Sequence, residues 1–121
     1  MWSSLSQASV LTINSKDEFK RIGQKLISGL REKSIDFKSD LGGSVIGKKY
    51  SIMDEIGVNF SIVVDFDSVR YSPKTVTIRD RDTLNQIRVM IDEVPQVLTD
   101  LIEGKMTFNE ATQKYLMQEK F

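Results

Sequence analysis

Residues 46–91, IGKKYSIMDEIGVNFSIVVDFDSVRYSPKTVTIRDRDTLNQIRVMI, decide how this chain folds. Val58 to Phe66 reads as a central strand, and its run Ile62-Val63-Val64 is apolar on both faces, which implies cover on both sides. The strand runs into Asp65-Phe66-Asp67. Ser68 to Lys74, with Tyr71-Ser72-Pro73, reads as a hairpin loop, after which Thr75 to about Arg81 returns antiparallel. A strand period of two puts Arg79 and Arg81 on one face, and Asp80 and Asp82 on the other with Val76 and Ile78. On this reading two strand ends gather opposite charges beside an aromatic ring. A core does not require that pattern. Arginine forks and carboxylate acceptors next to an exposed ring are the groups that read unpaired bases, which offer hydrogen-bonding edges and a π-face.

Outward from this segment, the pattern predicts one α/β domain over 9–121, with 1–8 a polar tail or linker remnant. Ser9 to Asn14 is a first strand. Ser15-Lys16-Asp17-Glu18 has the form of a capping box, opening a helix whose Phe19, Ile22, Leu26, Ile27 and Leu30 form one apolar stripe. Ile35 to Lys38 is a second strand, parallel to the first if that helix is the crossover between them. Leu41-Gly42-Gly43-Ser44 is a turn, with Ser44 as cap of a helix through Ile46, Tyr50 and Met53 to about Ile56. Leu84 to Ile91 reads as a fifth strand, since Ile87, Val89 and Ile91 alternate with polar neighbours, although a helix competes there. Asp92 is the expected cap of a helix carrying Val94, Val97, Leu98, Leu101 and Ile102, with Pro95 in its first turn and Gly104 at its end. Thr107 and Glu110 form a second capping box, opening a terminal helix through Ala111 and Leu116. The expected architecture is three layers: a mixed five-stranded sheet with flanking helices.

Composition narrows the chemistry. The 121 residues fit a single domain, and 40% apolar content supports one core. The chain holds neither cysteine nor histidine. That removes disulfides, the usual zinc ligands, the Ser-His and Cys-His pairs, and the default general base at neutral pH. Nothing approaches the roughly 20 apolar residues of a membrane span, and Met1 to Val10 lacks the form of a signal peptide. A cytoplasmic setting is expected, with no membrane partner. With 17 basic and 17 acidic residues the net charge is zero, so affinity for nucleic acid must come from local complementarity. Lys48, Lys49, Arg70, Lys74, Arg79, Arg81 and Arg88 all fall in the middle third.

The strings IGKKY, DEIGVNF, VVDFD, TVTIRDRD and QIR, in this order and spacing, resemble the C-terminal anticodon-binding domain of the eukaryotic and archaeal type of glycyl-tRNA synthetase, a class II enzyme. The likeness is strongest over 46–91. It implies the three-layer fold, tRNA for glycine as partner, and no catalytic residue or cofactor in this domain. ATP and magnesium would belong to an upstream catalytic domain of a parent that is a homodimer, cytoplasmic or in some forms mitochondrial. The resemblance also implies that Lys48, Phe66 and Arg81 match positions lining the anticodon pocket, with Asp67, Arg79 and Asp82 close by. Lysine at 48 and 49 departs from the arginine common in the family, and lysine lacks arginine's bidentate fork.

The residues admit alternatives. Lys48 and Lys49 stand in the first turn of a helix, where a positive charge costs a few tenths of a kcal/mol. That points to a bound anion such as an RNA phosphate, or else to two solvated side chains. Asp65 and Asp67 could hold magnesium in a small phosphotransfer enzyme. Phe66 falls opposite them on the strand, either in the core or under a base. Arg79 to Asp82 could simply pair across strands with Asp65 and Asp67. A binding module that kept the fold but serves another partner, as a DNA polymerase accessory factor does, is a further alternative.

Overall fold

The computed structural model describes residues 7–118, so residues 1–6 of the expected tail lie outside the described residues. Ala8 is already in β1 (Ala8–Thr12), the first of six strands. There follow α1 (Asp17–Glu32), β2 (Phe37–Asp40), α2 (Ile46–Glu55), β3 (Phe60–Val64), α3 (Phe66–Arg70), β4 (Thr75–Asp80), β5 (Gln86–Met90), a 3-10 turn at Ile91–Glu93, α4 (Val94–Ile102), α5 (Phe108–Lys114) and β6 (Leu116–Gln118). The strand order is β2-β1-β3-β4-β5-β6. β1 pairs in parallel with β2 and β3, and every pairing from β3 onward is antiparallel. The five expected strands are present in a mixed sheet, and β6 adds a short sixth at the edge.

Alternation along the strands divides the side chains between two faces. Val10, Ile62, Val64, Val76, Ile78, Ile87 and Val89 face one way and meet the stripe of α1, the apolar side of α4, and Phe108 and Ala111 of α5 in the main core. Leu11 and Val63 face the other way and meet Met53 and Val58 in a smaller cluster under α2. Three layers result, with β3 covered on both faces as its apolar run requires.

Some of the expected local signals form and others do not. Thr107 accepts from the Glu110 amide and Glu110 reaches back to the Thr107 amide, completing the expected box. Gly104, at φ +76, ends α4 in the left-handed region as expected, and Gly57, at φ +86, follows the end of α2. Ser15 is not a cap: α1 begins after Lys16, whose amide donates to Asn14 Oδ1. Val45, not Ser44, occupies the cap of α2. Asp92 lies inside the 3-10 turn, where Glu93 accepts from the Met90 amide. The last helix stops at Lys114, so Leu116 is in a strand and not in a helix.

The largest correction concerns Asp65-Phe66-Asp67. β3 ends at Val64, and Asp65 caps a new short helix by accepting from the Ser68 amide and hydroxyl, both at 3.0 Å, while Ser68 Oγ accepts from the Asp65 amide. Asp-x-x-Ser closes this box where the familiar pattern has Ser or Thr followed by Glu. Asp65 and Asp67 therefore do not share a strand face. The hairpin loop expected over 68–74 is partly helical.

Candidate nucleic-acid interface

The parallel part of the sheet runs β2-β1-β3, so the chain leaves β1 to one side through α1 and returns to the other through α2. The carboxyl ends of β1 and β3 thus flank a topological switch point, the place where open α/β sheets leave a crevice. A groove of about 420 Å³ opens there. Ile13, with Ile46 and Tyr50 of α2, forms one wall, and Phe66, Asp67 and Arg70 of α3 form the other. Its floor is Val63, Thr77 and Gln86, from three adjacent strands.

Phe66 stands on the exposed side of this groove. Its side chain is 55% exposed, and its ring meets Phe19 of α1 edge-on with centroids 5.7 Å apart. Its helical setting turns it out of the core, so a face remains for stacking. Asp67 is half-exposed beside it. Behind them Arg88, which alternation places on the same sheet face, donates to Asp65 Oδ2 and lies 3.9 Å from Asp67 Oδ2. Both Asp65 oxygens are thereby committed, one to Ser68 and one to Arg88. The two aspartates serve a helix cap and an ion pair, and this leaves no basis for the magnesium reading.

Lys48 and Lys49 part company. Lys48 is exposed in the first turn of α2, on the side away from Ile46 and Tyr50. Lys49 is 0% exposed, and its ammonium donates to the carbonyl oxygens of Thr12 at 2.7 Å, Gly42 at 2.8 Å and Asp40 at 3.1 Å, with the Asp40 carboxylate at 3.7 Å. Burial lowers its pKa from 10.5, and Asp40 draws it partly back. The expectation that Lys49 contacts a phosphate is overturned: its donors are used up inside the fold. It ties the ends of β1 and β2 to α2.

The basic string of the hairpin is also redistributed. In an antiparallel pair the end of one strand meets the start of the other, and here Phe60 pairs with Asp80. Arg81 and Asp82 therefore lie in the β4–β5 turn, at the opposite end of β3 from Asp65 and Asp67. The expected gathering of the two charged ends does not occur, nor does ion pairing between them. Asp80, on the core face and buried, accepts from the Thr83 amide at 3.0 Å and its hydroxyl at 2.8 Å, which shapes the turn. Arg81 lies 3.7 Å from its neighbour Asp82. Arg79 forks onto Asp54 at 3.1 and 3.3 Å, and its guanidinium lies 4.3 Å from the centroid of the Tyr50 ring. Arg79 thus braces a groove wall from behind. Tyr50 itself has its hydroxyl pKa pushed up from 10.0 by burial, with Arg79 drawing it down and Asp65 adding to the rise.

Tyr50, Asp54, Gln86 and Arg88 were not singled out as site residues from the sequence. Thr75, Thr77, Arg79, Gln86 and Arg88 share the sheet face on which α2 packs, and α2 reaches this group only at Arg79. The alternation was legible. What was missing was how far α2 extends across the sheet.

A family of anticodon binding domains matches residues 7–101. The chain belongs to this family. The anticodon-binding domain is 36% identical over 114 residues to a glycine–tRNA ligase of Drosophila melanogaster, a match that covers 94% of this chain and 15% of that protein. It is 38% identical over 109 residues to a glycine–tRNA ligase of Archaeoglobus fulgidus, covering 90% of this chain and 19% of the relative. The chain thus spans less than a fifth of the length of each of these two relatives. Among solved structures, it superposes on a prolyl-tRNA synthetase of Cryptosporidium parvum with a TM-score of 0.74 at 20% identity, over 84% of this chain and 21% of that one. The RNA binding domain of threonyl-tRNA synthetase from the same organism gives a TM-score of 0.70 at 24% identity, over 80% and 24% of the two chains. These likenesses show the fold. No described helix of the domain is long and apolar enough to cross a membrane.

Proposed function

We propose that this domain recognises the anticodon of glycine tRNA as the RNA-reading part of a glycine–tRNA ligase. The observation that carries the reading is the exposed Phe66 ring at a groove whose floor and walls present Gln86, Thr77 and Asp67, a stacking face beside hydrogen-bonding groups. The volume of the groove suits one splayed base. Arg81 in the β4–β5 turn and the exposed Lys48 of α2 are the cations available to phosphates of the neighbouring nucleotides. Likeness to the glycine–tRNA ligases supports glycine tRNA as the partner.

Attachment of glycine would fall to a catalytic domain of the parent, which would bind ATP and magnesium. The parent is read as a cytoplasmic homodimer, with a mitochondrial form in some settings. The test is a titration of the purified chain with anticodon stem-loops for glycine and for other amino acids, followed by fluorescence anisotropy. Preference for the glycine stem-loop is expected. Equal affinity for all stem-loops, or glycine-dependent ATP–pyrophosphate exchange by the chain alone, would overturn the assignment.

A further inference from the structure

Arg88 stands behind the groove without lining it. Its side chain is 11% exposed and lies on the open sheet face, where Arg88 pairs with Thr77. One guanidinium nitrogen donates to Thr75 Oγ1 at 3.1 Å, and the other reaches Asp65 and approaches Asp67. Asp65 spends its remaining oxygen on the cap of α3. A continuous chain of polar contacts thus runs from β4 and β5 through Arg88 and Asp65 into the first turn of α3. That helix has five residues, too few to hold itself in water. Its first turn carries Phe66 and Asp67, the ring and the carboxylate of one groove wall.

The hydrogen-bonding character of Asp67 specifies the kind of base this wall suits. Asp67, 45% exposed, presents a carboxylate to the groove, on the wall that also carries Arg70. A carboxylate accepts and cannot donate. It favours a base edge bearing an exocyclic amino group and disfavours a carbonyl at the same position.

We propose that Arg88 is a positioning residue that fixes the first turn of α3, so that Phe66 stacks on, and Asp67 accepts from, an unstacked base carrying an exocyclic amino group, as cytosine does. The proposal rests on the anticodon reading, since glycine anticodons end in two cytosines.

The experiment titrates the full 121-residue chain with two stem-loop RNAs that differ only in having cytosines or uracils at those two loop positions. The unsubstituted chain is expected to bind the cytosine loop about tenfold more tightly. Arg88→Lys keeps the charge and loses the fork, and should lose most of that preference while its dependence of affinity on salt stays unchanged. In two-dimensional NMR the ring signals of Phe66 and Phe19 should shift, while those of the stacked pair Phe60 and Phe108, 6.2 Å apart in the main core, stay in place. Should Arg88→Lys fail to fold, Asp65→Asn, which retains an oxygen for Ser68 and removes the charge that Arg88 grips, must show the same lost preference. A retained preference in the folded variant overturns the positioning role and leaves the anticodon reading standing. A salt slope lowered by about one would make Arg88 a phosphate contact and overturn it too. An unsubstituted chain that binds both loops alike sinks the anticodon reading and this inference together.

Discussion

The two faces of the sheet are made from the same strands and do different work. On one face α1, α4 and α5 enclose a continuous apolar core running from Ala8 to Ala111. On the other, α2 packs on β1 and β3 through four buried apolar residues, Leu11, Met53, Val58 and Val63, and reaches β4 only through polar contacts to Arg79. The rest of that face keeps Thr75, Thr77, Arg79, Gln86 and Arg88. The polar residues of the open face are ordered by one another, since Arg79 is held by Asp54 and Tyr50, and Arg88 by Asp65 and Thr75. Such a surface is preorganised for a ligand, whereas the closed face is given over to stability. Substitutions should therefore separate stability from binding according to the face they touch.

The largest effect belongs to the closed face. Ile62→Ala removes a fully buried side chain from the middle of β3 and should destabilise the domain by about 2–5 kcal/mol in chemical unfolding, with RNA affinity of the folded fraction unchanged. A comparable loss of affinity in that fraction would break the separation.

Lys49→Met is the sharper case, because Lys49, on α2 at the ends of β1 and β2, is a charged residue that acts as a core residue. Removing its ammonium leaves buried carbonyl acceptors unsatisfied, at about 1–3 kcal/mol each. Its pH signature has a definite sign. The folded pKa lies below the unfolded 10.5, so between the two the native state binds fewer protons and stability rises with pH. Subtracting the Lys49→Met stability curve from that of the unsubstituted chain should reveal this rise just below pH 10.5. A flat difference would mean that Lys49 is less buried than its contacts require.

On the open face, Phe66→Ala should cost about 1–3 kcal/mol of RNA binding and leave the salt dependence intact. Its melting temperature should move little, because more than half of the side chain is already exposed. A strongly lowered melting temperature would assign the ring to the core. Arg81→Ala asks how far along the open face the RNA reaches, since Arg81 lies at the end remote from the groove. A loss of roughly 1–3 kcal/mol in recognition with unchanged folding is expected, and wild-type affinity would confine the interface to the groove.

The smallest effect is Lys48→Ala. It should weaken binding of all RNAs alike and lower the slope of log affinity against log salt by nearly one, with no change in stability. An unchanged slope would remove Lys48 from the interface.

Local and periodic features of the sequence were legible: the strands β3 to β5, the apolar stripes of α1 and α4, the Thr107 box, the family strings. Features that depend on register or on long-range contacts were not. Lys48 and Lys49 look alike in sequence, and only the packing of Met53, four residues on, puts Lys49 on the inward side of α2. Arg88 shows its face by alternation but not its partner, since Asp65 is 23 residues away. The supposed meeting of the two charged strings failed on direction alone: an antiparallel return separates two strand ends that a parallel one would bring together. β6 has no strand signature of its own, and it exists because β5 offers an edge.

Both walls of the groove come from consecutive pieces of chain, α2 before β3 and α3 after it. The five residues of β3 therefore act as a ruler for the gap between the walls. One residue added within that strand would exchange its inward and outward sides, turning Val63 out of the floor and reversing α3 relative to α2. Two residues would restore the sides but lengthen the ruler by about 7 Å, more than the thickness of a base. Among variants of this chain, length changes should accumulate in the turns and spare β3, even though nothing in β3 except Val63 lines the groove.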